Sequence, residues 1–395
     1  MHRRTFLKTS ALTATLSPLV ASTSFSQLAS QNVNPKVNEI RERIKPITSE
    51  ERLERQQRAR KLMNDFDIDA ILLEGGTTLN YFTGISWGRS ERLFAMILPQ
   101  EGDAFFVSPK FEESRAYEQT QKVTNAKLYT WEEDESPYEL IKKILTERKL
   151  HDKELGIEET TRYFVSENIA KTIGSLALVS ATPVTAGCRS IKSAHEIELH
   201  QIANDITKEV FLSSISKLKE GMKENELGKI ISQQFSEFGV GGGVLVLFGK
   251  ASAHPHGLVE EHTLNEGDIV LLDGGCSVEG YASDVTRTTI FGTPTEKMNN
   301  VWNIVRKAQD AALKTAKPNI PAESVDAAAR KIISDANFGP DYKYFTHRLG
   351  HGIGMEGHEW YYLVRGNKRP LQAGNMFSNE PGIYIVGEFG IRLED

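Results

Sequence analysis

Ile269-Val270-Leu271-Leu272-Asp273-Gly274-Gly275-Cys276-Ser277-Val278-Glu279-Gly280-Tyr281-Ala282-Ser283-Asp284-Val285-Thr286-Arg287-Thr288, residues 269–288, is the stretch on which the reading of the chain turns. An apolar run leads to Asp273, Glu279-Gly280 marks a turn, and a second β-prone run opens at Asp284. Two adjacent antiparallel strands would bring both carboxylates to one side of a sheet. Aspartate is disfavoured inside strands, and a buried charge needs partners or a metal. Either aspartate alone also fits a turn at a strand end.

Downstream, His347-Arg348-Leu349-Gly350-His351-Gly352-Ile353-Gly354 surrounds His351 with glycines, which allow close backbone approach. His347 and His351 have the spacing of a helical zinc pair, but the glycines argue against a helix and the glutamate of His-Glu-x-x-His is absent. Glu380 lies in Asn379-Glu380-Pro381-Gly382-Ile383-Tyr384, and Glu394 in Ile391-Arg392-Leu393-Glu394-Asp395. Singly, each reads as a surface glutamate. With Asp273, Asp284 and His351 they form a set of four carboxylates and one imidazole, which two divalent ions would balance. Oxygen donors with a single histidine favour Mn²⁺, with Co²⁺, Zn²⁺ or Fe²⁺ as alternatives. Two metals about 3.5 Å apart can lower the pKa of a shared water and polarise a carbonyl.

The rest of the chain is ordinary for a globular protein: 395 residues, 39% hydrophobic and 25% charged. A length of this size suggests two or three domains, and the net charge of −6 gives no reason to expect nucleic acid. Cys188 and Cys276 allow one disulfide at most. Arg3-Arg4 before Phe6-Leu7-Lys8, then a short Ser/Thr-rich apolar run, reads as a twin-arginine signal over residues 1–26. It predicts export to the periplasm or beyond, with no stable membrane anchor. Residues 27–47 read as a polar linker. Thr48-Ser49-Glu50-Glu51 is a capping box opening a helix to Asp65, with Leu53, Gln56, Ala59, Leu62, Met63 and Phe66 inward. Alternating strands and helices make residues 48–185 a compact α/β domain without a catalytic constellation. Residues 186–395 read as an α+β domain with two helix pairs, each followed by strands. Capping boxes at Ser193-Glu196 and Thr293-Glu296 start two of those helices.

Leu-Leu-Asp-Gly-Gly, Ser-Asp-Val-Thr-Arg-Thr, Gly-His-Gly-Ile-Gly, Asn-Glu-Pro-Gly-Ile-Tyr and Arg-Leu-Glu-Asp, in that order, resemble the motifs of the M24 pita-bread metallopeptidases. Residues 48–185 look like a creatinase-type amino-terminal domain, with Asn80-Tyr81-Phe82-Thr83-Gly84 as the best local match. Such a domain favours the branch of Xaa-Pro dipeptidase (prolidase) and aminopeptidase P. The resemblance implies a pita-bread catalytic fold and two metals. Asp273 would hold one metal, His351 and Glu380 the other, and Asp284 and Glu394 would bridge. A hydroxide bridging the metals would attack the Xaa-Pro bond of a dipeptide or short peptide, with Glu380 moving its proton. His256 and His358 match the family's substrate histidines. Arg392 would bind a substrate carboxylate or orient a ligand, and a homodimer is implied. Two alternatives stand beside this: a same-fold hydrolase of a small amide or amidino compound, like creatinase, and an inactive binding module. The chain stops one residue after Glu394, whereas family members continue, so Glu394 is expected near a frayed or truncated end.

Overall fold

The structure is a computed structural model that describes residues 35–395. The expected signal over residues 1–26 lies outside the described residues, as does the start of the expected linker. Among the described residues no helix is long and apolar enough to cross a membrane.

The linker expectation needs correction. Pro35–Arg43 is a helix, α1, and its Val37 and Ile40, with Ile47 beyond it, are buried against Leu199, Ile202 and Phe235. A few apolar residues at helical spacing suffice to dock it, which is why its polar composition hid it. Arg41 Nε also donates to the Phe238 carbonyl at 2.9 Å, where another helix ends.

The amino-terminal domain starts with α2 (Ser49–Asp65), and the Thr48–Glu51 capping box is formed in both directions. Its inward face differs from expectation. Leu53 and Phe66 are exposed, whereas Arg55 is buried. Arg55 turns inward because it donates to the Tyr81 carbonyl and the Tyr281 hydroxyl, both at 2.8 Å, and pairs with Glu196. Six strands form one sheet: β1 (Ala70–Glu74), β2 (Ala95–Pro99), β3 (Phe105–Pro109), β4 (Lys127–Trp131), β5 (Glu154–Ile157) and β6 (Ala177–Ser180). Their order is β4-β3-β2-β1-β5-β6. The central strands are buried at every position, so they read as continuous apolar runs. Between them lie α3 (Thr77–Thr83), α4 (Glu113–Thr120), α5 (Pro137–Glu147) and α6 (Tyr163–Thr172); α7 (Thr182–Ser190) leads out.

The carboxy-terminal domain begins with α8 (Ala194–Ile215), started by the Ser193–Glu196 capping box, and α9 (Glu224–Glu237). A sheet follows from β7 (Gly241–Phe248), β8 (Ile269–Val278), β9 (Tyr281–Ala282) and β10 (Val285–Ile290), in the order β10-β8-β7 with β9 also on β8. Along β8, Val270 and Leu272 pack with α8 and α9, while Ile269 and Leu271 face the opposite cluster. By the period of two, Asp273 continues the second face. That side is covered by α10 (Glu296–Thr315) and α11 (Ala322–Asp335), and by the hairpins β11 (Gly350–Gly352) with β12 (Glu359–Leu363) and β13 (Gly382–Ile385) with β14 (Phe389–Arg392). The cap of α10 is Thr295, whose side chain accepts from Met298 N, rather than Thr293. Pro294 therefore lies before the helix, not in its first turn. Cys188 and Cys276 are both buried and free, so the one disulfide the sequence allowed is not formed.

Candidate metal centre

The antiparallel pairing of β8 and β10 is the one the aspartates called for. Thr286 lies opposite Asp273, and Asp284 sits two residues before it, at the mouth of β10. The hairpin closes at Glu279-Gly280, both at positive φ (50° and 89°), the conformation of a tight type I′ turn. The Thr286 hydroxyl lies 3.0 Å from Asp273 Oδ1 and 2.6 Å from Glu394 Oε2, and so ties the sheet to the chain end.

The two glutamates flank one hairpin. Gly382 pairs with Arg392, and the ladder continues outward as Leu393 N donates to Pro381 O and Asn379 N to Asp395 O. Glu380 and Glu394 thus come side by side. Glu394 is not frayed: it is 2% exposed, its N–H donates to Thr286 O, and its carbonyl accepts from Arg287. β11 brings His351 to the same place, with Glu380 N donating to Leu349 O and Ser378 N to His351 O. Only glycine fits at 350, where a Cβ would stand 1.9 Å from the Ser378 carbonyl oxygen.

His351 Nδ1 lies 3.1 Å from the Gly352 carbonyl, so Nδ1 carries hydrogen and donates there. Nε2 faces Glu380 Oε1 at 3.3 Å and Asp284 Oδ2 at 3.7 Å. Three overlapping sets each place their ligand atoms within 4.8 Å: Asp273, Asp284, Glu394; His351, Glu380, Glu394; and Asp284, His351, His358. All five expected ligands are therefore assembled, and His358 stands within the same reach. The His358 ring stacks on His351, 3.6 Å between centroids. His254, His256 and His358 line, with the five, a cavity of about 510 Å³.

The charges are out of balance without cations. Burial, then Asp273, pushes the Asp284 carboxyl up to about 7. Burial, then Glu380, Asp284 and Asp273, raises Glu394 well above the usual carboxylate range. Burial acts to raise the partly buried Glu380 as well, yet the His351 and His347 imidazoles beside it hold it low. Crowded carboxylates around one free imidazole nitrogen are the donor set that divalent cations satisfy.

Arg392 is 2% exposed and donates to Asp273 Oδ2 (2.5 Å), Thr286 Oγ1 (3.1 Å), Tyr384 OH (2.8 Å) and Pro255 O (3.2 Å). Of its two expected roles, this geometry favours orienting Asp273. Four residues were not foreseen as site components. Thr286 and Tyr384 sat inside quoted motifs, and His347, noted only for its spacing, meets the Tyr384 hydroxyl through Nε2 at 2.8 Å. Gln309, buried within the apolar stripe of α10, bonds Asn379 O (3.3 Å) and Asp395 Oδ2 (3.2 Å) next to both glutamates. A glutamine amid inward-facing alanines was the available signal. A larger groove, about 850 Å³, lies along α11, but its Arg330 is committed to Asp326 and to the Phe345 carbonyl.

Comparison with known proteins follows this division. Residues 198–395 match the metallopeptidase family M24, and residues 55–191 match the creatinase/prolidase N-terminal domain. An uncharacterized peptidase of Schizosaccharomyces pombe is 38% identical, over 88% of this chain and 79% of that one. The crystal structure of a prolidase from Thermococcus sibiricus superposes with a TM-score of 0.78 at 35% identity, covering 86% of this chain and 92% of that one. An X-Pro aminopeptidase from Thermotoga maritima superposes at 0.71 and 27% identity, covering 85% and 93%.

Proposed function

The chain belongs to metallopeptidase family M24, and from that premise we propose that it hydrolyses the Xaa-Pro bond at the amino terminus of dipeptides or short peptides. The observation that carries this is the convergence of Asp273, Asp284, His351, Glu380 and Glu394 in a cavity edged by His256 and His358. The prolidase and X-Pro aminopeptidase among its structural neighbours support the substrate class.

Asp273, Asp284 and Glu394 would hold one divalent ion, and His351 and Glu380 the other, with Asp284 and Glu394 shared; Mn²⁺ suits this donor set. When bound, such ions supply an acidified water and a polarised carbonyl. Glu380 takes the proton of the attacking water on its carboxylate and returns it to the proline nitrogen. A C–O bond forms, the C–N bond breaks, and the electron pair leaves with the nitrogen. His256 and His358, at the cavity edge, donate to the scissile carbonyl oxygen as it gains charge. Arg392 and Thr286 keep Asp273 and Glu394 in place. An Xaa-Pro bond has no amide hydrogen, and its ring fixes φ, so recognition falls on the carbonyl and the chain ends. Export through the Arg3-Arg4 signal is part of this reading, and loss of export in Arg3→Lys/Arg4→Lys tests it.

The test of the activity is hydrolysis of Gly-Pro, Ala-Pro and Arg-Pro-Pro with added Mn²⁺. Dipeptide cleavage marks a dipeptidase, and cleavage of the tripeptide alone an aminopeptidase. No cleavage of any, with metal bound, overturns the Xaa-Pro reading.

A further inference from the structure

His358 is exposed, follows Gly357, and stands in the turn that joins β11 to β12. Its only ring contact among the described residues is the stack on His351. Something else must hold the turn. Glu356 and Glu359 bracket His358, and one guanidinium reaches both: Arg189 Nη2 lies 2.8 Å from Glu356 Oε2 and 2.6 Å from Glu359 Oε1. Arg189 Nε adds a second contact to Glu359 Oε1 at 3.2 Å, and Glu356 N lies 3.4 Å from the same oxygen. The other oxygen of Glu359 accepts from Lys192 Nζ at 3.0 Å. Arg189, Lys192 and Glu359 side chains are only 10%, 2% and 6% exposed, so these are buried, charge-assisted bonds with fixed geometry. Burial alone would lift the Glu359 carboxyl, yet the two cations hold it low.

The clip also reaches the other domain. Arg189, at the end of α7, donates through Nη1 to Thr78 Oγ1 at 3.2 Å. Thr78 in α3 in turn donates to Glu158, at the end of β5, a carboxylate that is 6% exposed. A single side chain therefore bridges the amino-terminal domain and both ends of the histidine's turn.

We propose that Arg189 is a positioning residue for His358, clipping the Glu356–Glu359 turn so that the imidazole stays over His351, and that the amino-terminal domain acts on the reaction through this clip. The part concerning the reaction rests on the role given to His358 above. A placement error of about 1 Å costs on the order of a hundredfold in rate, so a loosened turn should be visible kinetically.

Glu356→Ala is the leading variant, because its side chain is 41% exposed and its loss spares the buried pairs. Arg189→Lys, which keeps the charge and loses the fork, is the second. Two readouts separate the clip from the role. In metal-free protein, the His358 ring Cε1–H signal carries the ring-current shift of the His351 stack. The clip requires that shift to shrink toward that of a free histidine in both variants while the melting temperature of Glu356→Ala stays put. An unmoved signal overturns the clip whatever the kinetics. With Mn²⁺ and an Xaa-Pro peptide, Glu356→Ala should lose roughly tenfold in kcat/KM, and Glu356→Ala/His358→Ala should be no slower than His358→Ala. Losses that multiply overturn action through His358. A His358→Ala enzyme of full activity overturns the role given to His358, while the ring signal still decides the clip.

Discussion

Glu394 is the candidate ligand whose replacement should separate stability from metal binding. Its carboxylate is fully enclosed and lies within 4.8 Å of ligand oxygens of Asp273, Asp284 and Glu380. At an effective dielectric near 20, a like-charge pair at that distance repels by about 3.5 kcal/mol. Proton uptake relieves part of this in metal-free protein, so about 1–3 kcal/mol remains to be gained by removing the charge. Glu394→Gln keeps the shape and an oxygen to accept from Thr286. Metal-free Glu394→Gln should therefore melt above the metal-free parent, by roughly 2–4 °C per kcal/mol for a domain of this size. The metal-bound order should reverse. A bound ligand stabilises by about 2.7 kcal/mol at a hundred times its Kd, and the variant should forfeit most of that. The assay is thermal unfolding in chelator and in excess Mn²⁺, with metal content measured alongside. A metal-free variant less stable than the parent, or one with an undiminished Mn²⁺-induced shift, would refute the reasoning.

Three further outcomes follow from other contacts. Arg55→Met strips the buried cation shared by Glu196, Tyr281 and the Tyr81 carbonyl, and should cost about 3–5 kcal/mol, seen as loss of cooperative two-domain unfolding in urea. His200 is fully buried, Nδ1 bonds the Ala282 carbonyl at 2.8 Å, and burial lowers its pKa from 6.5 to about 4. Protons then favour the unfolded chain. Stability is full above pH 6.5 and falls toward pH 4 by up to about 3 kcal/mol, and His200→Gln should flatten the urea midpoint across that window. Gln309→Leu should leave α10 intact but free the segments next to Glu380 and Glu394, weakening Mn²⁺ affinity about tenfold by calorimetry.

The candidate ligands were legible as a set rather than singly: an aspartate inside a β-prone run, a histidine between glycines and a glutamate before Pro-Gly gained their meaning from standing together in that order. The strand pair turning at Glu279-Gly280 and the capping boxes at Thr48 and Ser193 were local, and they formed. What stayed hidden depends on partners far along the chain. Arg55 is inward because of Tyr281, 226 residues away, and Arg189 meets Glu359 across 170. No periodicity within α2 announces such a partner, so Leu53 and Phe66 were placed inward in its stead. The helix at Pro35–Arg43 was obscured for the same reason, since its two apolar anchors, Val37 and Ile40, gain meaning only against α8 and α9. The end at Glu394 was expected to be loose because nothing in its own sequence shows Thr286 and Arg287 holding it.

The central claim meets its most direct test in hydrolysis of Ala-Pro by purified protein loaded with Mn²⁺, beside Glu380→Ala with its metal content measured. The account requires the parent to release proline from Ala-Pro, or the amino-terminal residue from Arg-Pro-Pro, and a loss of about a thousandfold or more in the variant. Equal rates in both, or a metal-loaded parent that cleaves neither Ala-Pro nor Arg-Pro-Pro, would contradict it.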